Sequence, residues 1–120
     1  MMRRAGRIDY VEFASGDPAA SRRFFEQVFG WQFEDYGPDY TAFDDGELQG
    51  GFSRGTALTS ESGAPLLVLY AVQLAPVLAR VEAHGGRVTK PVFAFPGGRR
   101  FQFVEPGGNE LAVWSERDND

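Results

Sequence analysis

The feature that most constrains this chain is an internal repeat, in which one order of predicted elements occurs in each half. Each half contains a strand, an amphipathic helix and three further short strands, separated by turns rich in Gly, Pro and Asp. A unit of this size cannot cover its own sheet face, so two copies are expected to pack together. The sequence therefore predicts one α+β domain over residues 1–120. Its predicted parts are a βαβββ module at about 7–53, a linker at 54–65 and a second βαβββ module at about 66–115.

The predicted helix boundaries rest on residues with well-understood backbone preferences. Asp17 can accept hydrogen bonds from the free N–H groups of a first turn, and Pro18 suits the first helical position. Gly30 then allows the left-handed conformation that commonly follows a helix. In the second half, Gly85-Gly86 marks the corresponding helix end. The single histidine, His84, precedes that end, so we expect it to interact with the helix C-terminus and not to catalyse a reaction.

Composition argues against several classes of function. The 12 Lys+Arg and 17 Asp+Glu give a net charge of −5, whereas a nucleic-acid-binding protein needs a basic surface. The absence of cysteine excludes a disulfide scaffold, thiolate metal sites and thiol catalysis, and one histidine cannot build a multi-histidine metal site. No apolar run is long enough to span a membrane, and none follows the basic N-terminus as in a signal peptide. We therefore expect a cytoplasmic protein with neither nucleic-acid nor membrane partners.

Four segments carry a family resemblance: the opening strand Tyr10–Phe13, the helix end Phe24–Trp31, the second helix and its stop Leu78–Gly86, and the turn Glu105–Glu110. In these segments the chain resembles the vicinal oxygen chelate superfamily, which includes glyoxalases, bleomycin-resistance proteins and extradiol dioxygenases. The resemblance covers about residues 7–115. It implies that the two βαβββ modules form a U-shaped, half-open barrel and that the protein is a homodimer. Because one fold serves many functions, it does not imply a specific activity.

The resemblance also implies where metal-dependent members hold their ion. In this chain those positions, usually His, Gln or Glu, fall on Tyr10, residues 49–51, Leu66 and Ala112. Only Gln49 offers an amide oxygen there, and Glu110 is the one nearby carboxylate. We therefore predict no metal site and no cofactor, with a divalent metal as the alternative. The chain then resembles the metal-free members that bind and sequester small molecules.

Strand alternation predicts which side chains share the inner face of the cup, because successive residues of a strand point to opposite sides. Aromatic walls with a few polar groups are typical of a small-molecule pocket. The guanidinium of Arg100 could hold a carboxylate or a phosphate through its fork of donors. The predicted ligand-binding residues are Tyr10, Glu12, Tyr40, Tyr70, Arg100, Gln102 and Trp114.

The leading functional prediction is metal-independent binding of a small, partly aromatic or carboxylated molecule. Catalysis stays open at this point. The enzymatic alternatives are a metal-dependent lyase or dioxygenase of the same superfamily, and a metal-free catalyst that uses Glu12 and Glu110 as an acid–base pair. A third alternative is a structural domain in which Glu12 and Arg100 pair with each other and fill the cup.

Overall fold

A computed structural model of the chain describes residues 3–116. The elements are β1 (Tyr10–Ser15), α1 (Pro18–Phe29), β2 (Gln32–Asp35), β3 (Tyr40–Asp44), β4 (Gln49–Arg54), β5 (Leu67–Tyr70), α2 (Leu74–Ala83), β6 (Arg87–Phe95), β7 (Gly98–Val104) and β8 (Glu110–Ser115). A single 3₁₀ turn at Ser60–Ser62 lies between β4 and β5, within the segment predicted to be a linker. Within residues 3–116, neither helix has the length and apolar character needed to cross a membrane.

The strands form two four-stranded mixed sheets, one from each half of the chain. The order is β1-β4-β3-β2 in the first sheet and β5-β8-β7-β6 in the second. In both sheets the first strand of the module pairs in parallel with the last, and the remaining pairs are antiparallel. The predicted α+β fold of two βαβββ modules is therefore confirmed, and the two sheets do not close into a barrel.

The two helices end as their sequences predict but begin differently. The Asp17 carboxylate accepts a hydrogen bond from the backbone N–H of Ala20 at 3.1 Å, and Gly30 follows α1 with a φ of 74°. Gln73 precedes α2 and makes no side-chain capping bond. At the other end of α2, Nδ1 of His84 lies 2.9 Å from the carbonyl oxygen of Arg80. Only α1 therefore has the side-chain N-cap that stabilises a first turn.

Phenylalanine rings build the core of both modules and join them. On α1, Phe25 stacks on Phe52 of the first sheet, with ring centroids 5.4 Å apart. Its neighbour Phe24 contacts Phe103 of the second sheet at 5.7 Å. All four rings are at most 1% exposed, so they contribute one continuous apolar core. Complete burial of each such ring is worth about 1.5–3 kcal/mol.

A buried carboxylate joins the turn before β8 to α1 and β1. Glu105, only 1% exposed, accepts hydrogen bonds from the hydroxyl of Ser21 at 2.9 Å, from the N–H of Gly107 at 2.6 Å and from the amide of Asn109 at 2.7 Å. Asn109 also donates to the carbonyl of Ala14 at 2.8 Å. Burial raises the pKa of Glu105 by more than these hydrogen bonds lower it. This turn, which the sequence predicts, therefore fixes one module against the other.

Candidate functional site

The seven predicted ligand-binding residues lie on two separate sheet surfaces. The first face is the side of the first sheet that carries Tyr10, Glu12 and Tyr40, and it lines a cavity of about 520 Å³ whose other residues all come from the same module. The second face is the side of the second sheet that carries Tyr70, Arg100, Gln102 and Trp114. Arg100 and Trp114 line another cavity, of about 230 Å³, with residues of the second module only. The structure therefore groups the predicted residues into two sets.

On the first face, two tyrosines and a glutamate form a hydrogen-bonded chain. The hydroxyl of Tyr40 donates to the Glu12 carboxylate at 3.0 Å, and the hydroxyls of Tyr10 and Tyr40 are also hydrogen-bonded to each other. Burial and then the hydrogen bonds with Tyr10 and Glu12 raise the pKa of Tyr40 well above its usual value. Tyr40 therefore keeps its proton at neutral pH and orients the other two groups.

Gly51 makes room for the tyrosine pair. It lies on β4 opposite Glu12 and Ala42 in the sheet register. A Cβ atom on Gly51 would lie 2.1 Å from the hydroxyl of Tyr40 and 2.9 Å from the hydroxyl of Tyr10, which is closer than non-bonded atoms approach. Only glycine at this position permits both hydroxyls to meet above the sheet.

Arg100 is the central charged group of the second face. Its guanidinium lies 5.2 Å from the ring centre of Phe93 and 5.8 Å from that of Phe95, and its Nη2 donates to the Gln102 side-chain oxygen at 3.3 Å. Its Nε atom is buried and has no hydrogen-bond partner among residues 3–116. A buried donor without a partner is costly, so an acceptor that reached this N–H after a shift of the Arg100 side chain would be favoured.

Aromatic rings surround Arg100 on the second face. Trp114 contacts Tyr70 edge-on, with ring centroids 5.3 Å apart, and Phe95 in the same way at 6.2 Å. Val68, Phe95, Arg100 and Trp114 line the open cavity of this face. The hydroxyl of Tyr70 donates to Glu116. A planar ring that enters the cavity would therefore meet apolar walls and one guanidinium.

The donor set does not fit a transition-metal site. The positions that the resemblance assigns to metal ligands hold Tyr10, Leu66 and Ala112, which provide no carboxylate or imidazole. The one nearby carboxylate, that of Glu110, already accepts four hydrogen bonds. Their donors are the N–H and hydroxyl of Ser60, the hydroxyl of Thr89 and the amide of Gln102. Burial alone would raise the pKa of Glu110, but these bonds together lower it. Within residues 3–116, no three His, Asp or Glu side chains are grouped as metal ligands.

Glu12 does not pair with Arg100 in this structure. Glu12 is bonded to Tyr40, whereas Arg100 is bonded to Gln102. Glu12 and Glu110 both line a further cavity, of about 250 Å³, which residues of both modules form. Glu110, however, is 8% exposed and held by its four donors, so it is poorly suited to exchange protons with a ligand.

Sequence reasoning missed two residues on each face: an acidic and an aromatic residue on the first face, and two aromatic residues on the second. Glu34 and Tyr36 line the cavity of the first face, and Glu34 is the register partner of Ala42. Alternation along β2 was enough to find them. Phe93 and Phe95 flank Arg100 on the second face, but two register irregularities in β6 lie between Val88 and Phe93. Because a bulge changes which side a residue faces, alternation could not assign these two rings.

Comparisons with known proteins agree with this architecture. The family model described as Glyoxalase/Bleomycin resistance protein/Dioxygenase superfamily matches residues 7–113. Among proteins with curated descriptions, none matches the chain.

Solved structures of the same architecture superpose over nearly the whole chain. A glyoxalase/bleomycin resistance protein/dioxygenase family enzyme from Burkholderia phytofirmans PsJN has a TM-score of 0.79 at 18% identity, covering 93% of this chain and 100% of that one. The fosfomycin resistance protein FosX from Mesorhizobium loti has a TM-score of 0.73 at 16% identity, covering 94% and 93%. A lactoylglutathione lyase from Agrobacterium tumefaciens has a TM-score of 0.71 at 18% identity, covering 93% and 95%. At these identities the similarity establishes the fold alone.

Proposed function

Since the chain belongs to the glyoxalase/bleomycin resistance protein/dioxygenase superfamily, we propose that it binds and sequesters a small aromatic molecule bearing a carboxylate, without a metal ion. The observation that carries this proposal is the buried, unpartnered Nε of Arg100 on the aromatic second face. The enzymatic alternative, a lyase or dioxygenase, lacks a comparable observation because the family's metal positions hold the wrong residue types.

The chemistry of Arg100 favours a carboxylate as the ligand group. A guanidinium offers parallel N–H donors that match the two oxygens of a carboxylate. One donor of Arg100 is bonded to Gln102, and Nε lacks a partner among the described residues. A carboxylate oxygen at Nε would remove the cost of that unsatisfied donor, and the net charge of the pair would be neutral.

The surroundings of Arg100 favour an aromatic ring attached to that carboxylate. Phe95 and Trp114 line the cavity beside the guanidinium, together with the aliphatic side chain of Val68. Val68 and Tyr70 are 43% and 49% exposed, which leaves apolar surface for a ligand to cover. Aromatic side chains stack on planar ligands and bury large areas with few rotatable bonds. Gln102 would act only indirectly, because its side-chain oxygen accepts from Arg100 and its amide donates to Glu110, so it holds the guanidinium in place.

A titration with 1-naphthoate and its neutral amide tests this function. We expect calorimetry to detect naphthoate binding, with the amide much weaker because it carries no charge for Arg100. Arg100→Gln should weaken naphthoate binding at least 30-fold, or about 2 kcal/mol. Arg87→Gln removes an exposed arginine at the start of β6 and serves as the matched control. Equal affinities for naphthoate in the wild type and Arg100→Gln would refute the assigned role.

The proposed independence from metals has its own test. Elemental analysis of protein purified without chelators should find Ni, Zn, Fe and Mn far below one equivalent per chain. Addition of these ions should leave both the melting temperature and naphthoate binding unchanged, because a ligand that binds the folded state raises the melting temperature. One equivalent of a transition metal, bound by the protein, would instead favour the lyase or dioxygenase alternative.

We also propose a cytoplasmic homodimer as the working form of the protein. The exposed apolar side chains of Ile8, Leu58 and Val72, which line neither of the two cavities, support this assembly, because a second copy would cover surface that a single chain leaves in water. Sedimentation equilibrium should give the mass of two chains. The mass of one chain across the accessible concentration range would contradict the dimer and leave the ligand proposal untouched.

A further inference from the structure

We propose that the first face is a second, independent binding site, specific for an organic cation of the quaternary-ammonium or protonated-amine class. This site goes beyond the carboxylate site on the second face and does not depend on it. The observations that carry it are a cavity of about 520 Å³, three tyrosines in its lining, and acidic side chains around it.

The direction of the hydrogen bonds makes the Tyr10 hydroxyl an acceptor. Tyr40 has one hydroxyl proton and donates it to the Glu12 carboxylate, which can only accept. The bond between the two tyrosines therefore uses the proton of Tyr10. The Tyr10 oxygen is left with lone pairs and no free proton, so it suits an ammonium N–H or a cation and not an anion.

The exposed aromatic rings of the first face would also attract a cation, in addition to the acceptor oxygen of Tyr10. Tyr10 is 43% exposed and Tyr36 is 61% exposed, and both line the cavity with Tyr40. A cation over the face of an aromatic ring is attracted by the ring's quadrupole, and groups of such rings recognise quaternary ammonium ions. Large aromatic side chains left in water at a concave surface are typical of a binding site.

The charged side chains that line the cavity have one sign. Glu34 and Asp44 belong to its lining, and the carboxylate of Glu12 is bonded to Tyr40 at its edge. Among the described residues that line the cavity, none is Lys, Arg or His. The negative charge of Glu34 also raises the pKa of Tyr36. A cationic ligand is therefore favoured here by the same Coulombic term that would oppose an anion.

Choline and its neutral carbon isostere, 3,3-dimethylbutanol, provide the test. The two probes have nearly the same shape and differ in the charge. Backbone amide NMR of the full chain should show saturable choline-dependent shifts on the first sheet, and choline should bind at least about fivefold more tightly than the isostere. Naphthoate should leave these first-sheet shifts unchanged, which separates this proposal from the function proposed for the second face.

Variants assign the choline effect to the first face. Glu12→Gln removes the charge at the end of the hydrogen-bonded chain, and Tyr36→Leu removes one exposed ring. Each should weaken choline binding about two- to fivefold. Gly51→Ala should weaken it further, because the added Cβ separates the tyrosine hydroxyls.

Controls match these variants by substitution type. Glu82→Gln removes an exposed charge on α2. Gly55→Ala adds a Cβ whose nearest contact is an ordinary 3.5 Å. Both controls should retain wild-type choline affinity. If Gly51→Ala fails to fold, Glu12→Gln and Tyr36→Leu still decide the outcome.

Three results would overturn the proposal. The first is equal binding of choline and its isostere, and the second is a set of choline shifts confined to the second sheet. The third is unchanged choline affinity in both Glu12→Gln and Tyr36→Leu.

Discussion

The two modules use one scaffold but present opposite chemistry on their open faces. Beneath each face lies a core of buried phenylalanines, with Phe52 in the first sheet and Phe103 in the second, both 0% exposed. Above the sheets, the first face has tyrosine hydroxyls bonded to Glu12, whereas the second has Arg100 among phenylalanine and tryptophan rings. Buried positions are limited by packing, while face positions are limited only by solubility and ligands. We therefore assign stability to the shared core and propose ligand recognition at the faces.

Glu12 on the first face and Glu110 on the second face also differ, both in their exposure and in the number of hydrogen bonds that they accept. Glu12 accepts one hydroxyl bond and is exposed, so it can respond to a ligand. Glu110 accepts bonds from Ser60, Thr89 and Gln102 and is 8% exposed. We therefore propose a binding role for Glu12 and assign a structural role to Glu110, although both line one cavity between the modules.

Truncation of the core tests whether the two modules are equivalent beneath their faces, and it carries the largest expected effect. Phe52→Ala and Phe103→Ala each remove a fully buried ring and leave a cavity, so each should lower the free energy of unfolding by about 3–5 kcal/mol. Urea denaturation measures both. A large loss for one variant and almost none for the other would contradict the equivalence of the two modules, because only one module would then stabilise the core.

Removal of the carboxylates tests the division between binding and structure. Glu110→Ala leaves four donors without their acceptor, so it should lower the free energy of unfolding by about 2–3 kcal/mol. Glu12→Ala affects an exposed group and should cost about 0.5 kcal/mol or less. Urea denaturation at neutral pH measures the pair. Equal losses for the two variants would contradict the assignment of Glu110 to structure.

The helix N-termini offer a smaller contrast between the modules. Asp17→Ala removes the side-chain cap of α1 and should lower the free energy of unfolding by about 1 kcal/mol. Gln73→Ala removes a residue that makes no capping bond to α2 and should have almost no effect. Conversely, Gln73→Asp should raise the melting temperature slightly by adding the missing cap. A loss for Gln73→Ala as large as that for Asp17→Ala would show that the contrast is wrong.

The contributions of Glu105 and Glu110 to the free energy of unfolding should depend on pH in opposite directions. Burial raises the pKa of Glu105, so its contribution to the free energy of unfolding is greatest below the unfolded pKa of about 4.3 and declines as pH rises through the folded pKa. Glu110 has a lowered pKa, so its contribution is present above about 4.3 and is lost as pH falls through the folded pKa. Carboxyl ¹³C NMR should find Glu105 titrating at higher pH than Glu110, and the reverse order would contradict the burial argument.

Much of the fold could be predicted from local chemistry. Asp17, Pro18 and Gly30 mark the ends of α1 because capping and the left-handed conformation depend on neighbouring residues alone. The repeat of one element order in both halves predicted the two modules, since each half carries its own turn signals. Boundaries shifted slightly: the second module is predicted from about residue 66, and its first strand, β5, begins at Leu67.

The candidate site was only partly predictable, because it depends on how separate sheets are placed. Alternation grouped Tyr10 with Tyr40 and Arg100 with Trp114 correctly within each sheet. It contains no information on the distance between sheets, so it could not show that Tyr10 and Tyr40 line one cavity while Arg100 and Trp114 line another. The hydrogen bond from Ser60 to Glu110 joins residues 50 positions apart in the chain, and no local pattern in the linker predicts it.

Amide NMR of one ¹⁵N-labelled sample, given choline first and 1-naphthoate second, shows directly whether the two faces bind different ligands. Choline should shift the amides of Tyr10 and Gly51, naphthoate should shift those of Arg100 and Trp114, and neither ligand should displace the other. Shifts from both ligands on the same face, or displacement of choline by naphthoate, would contradict the claim that the duplicated scaffold carries two sites of opposite charge preference.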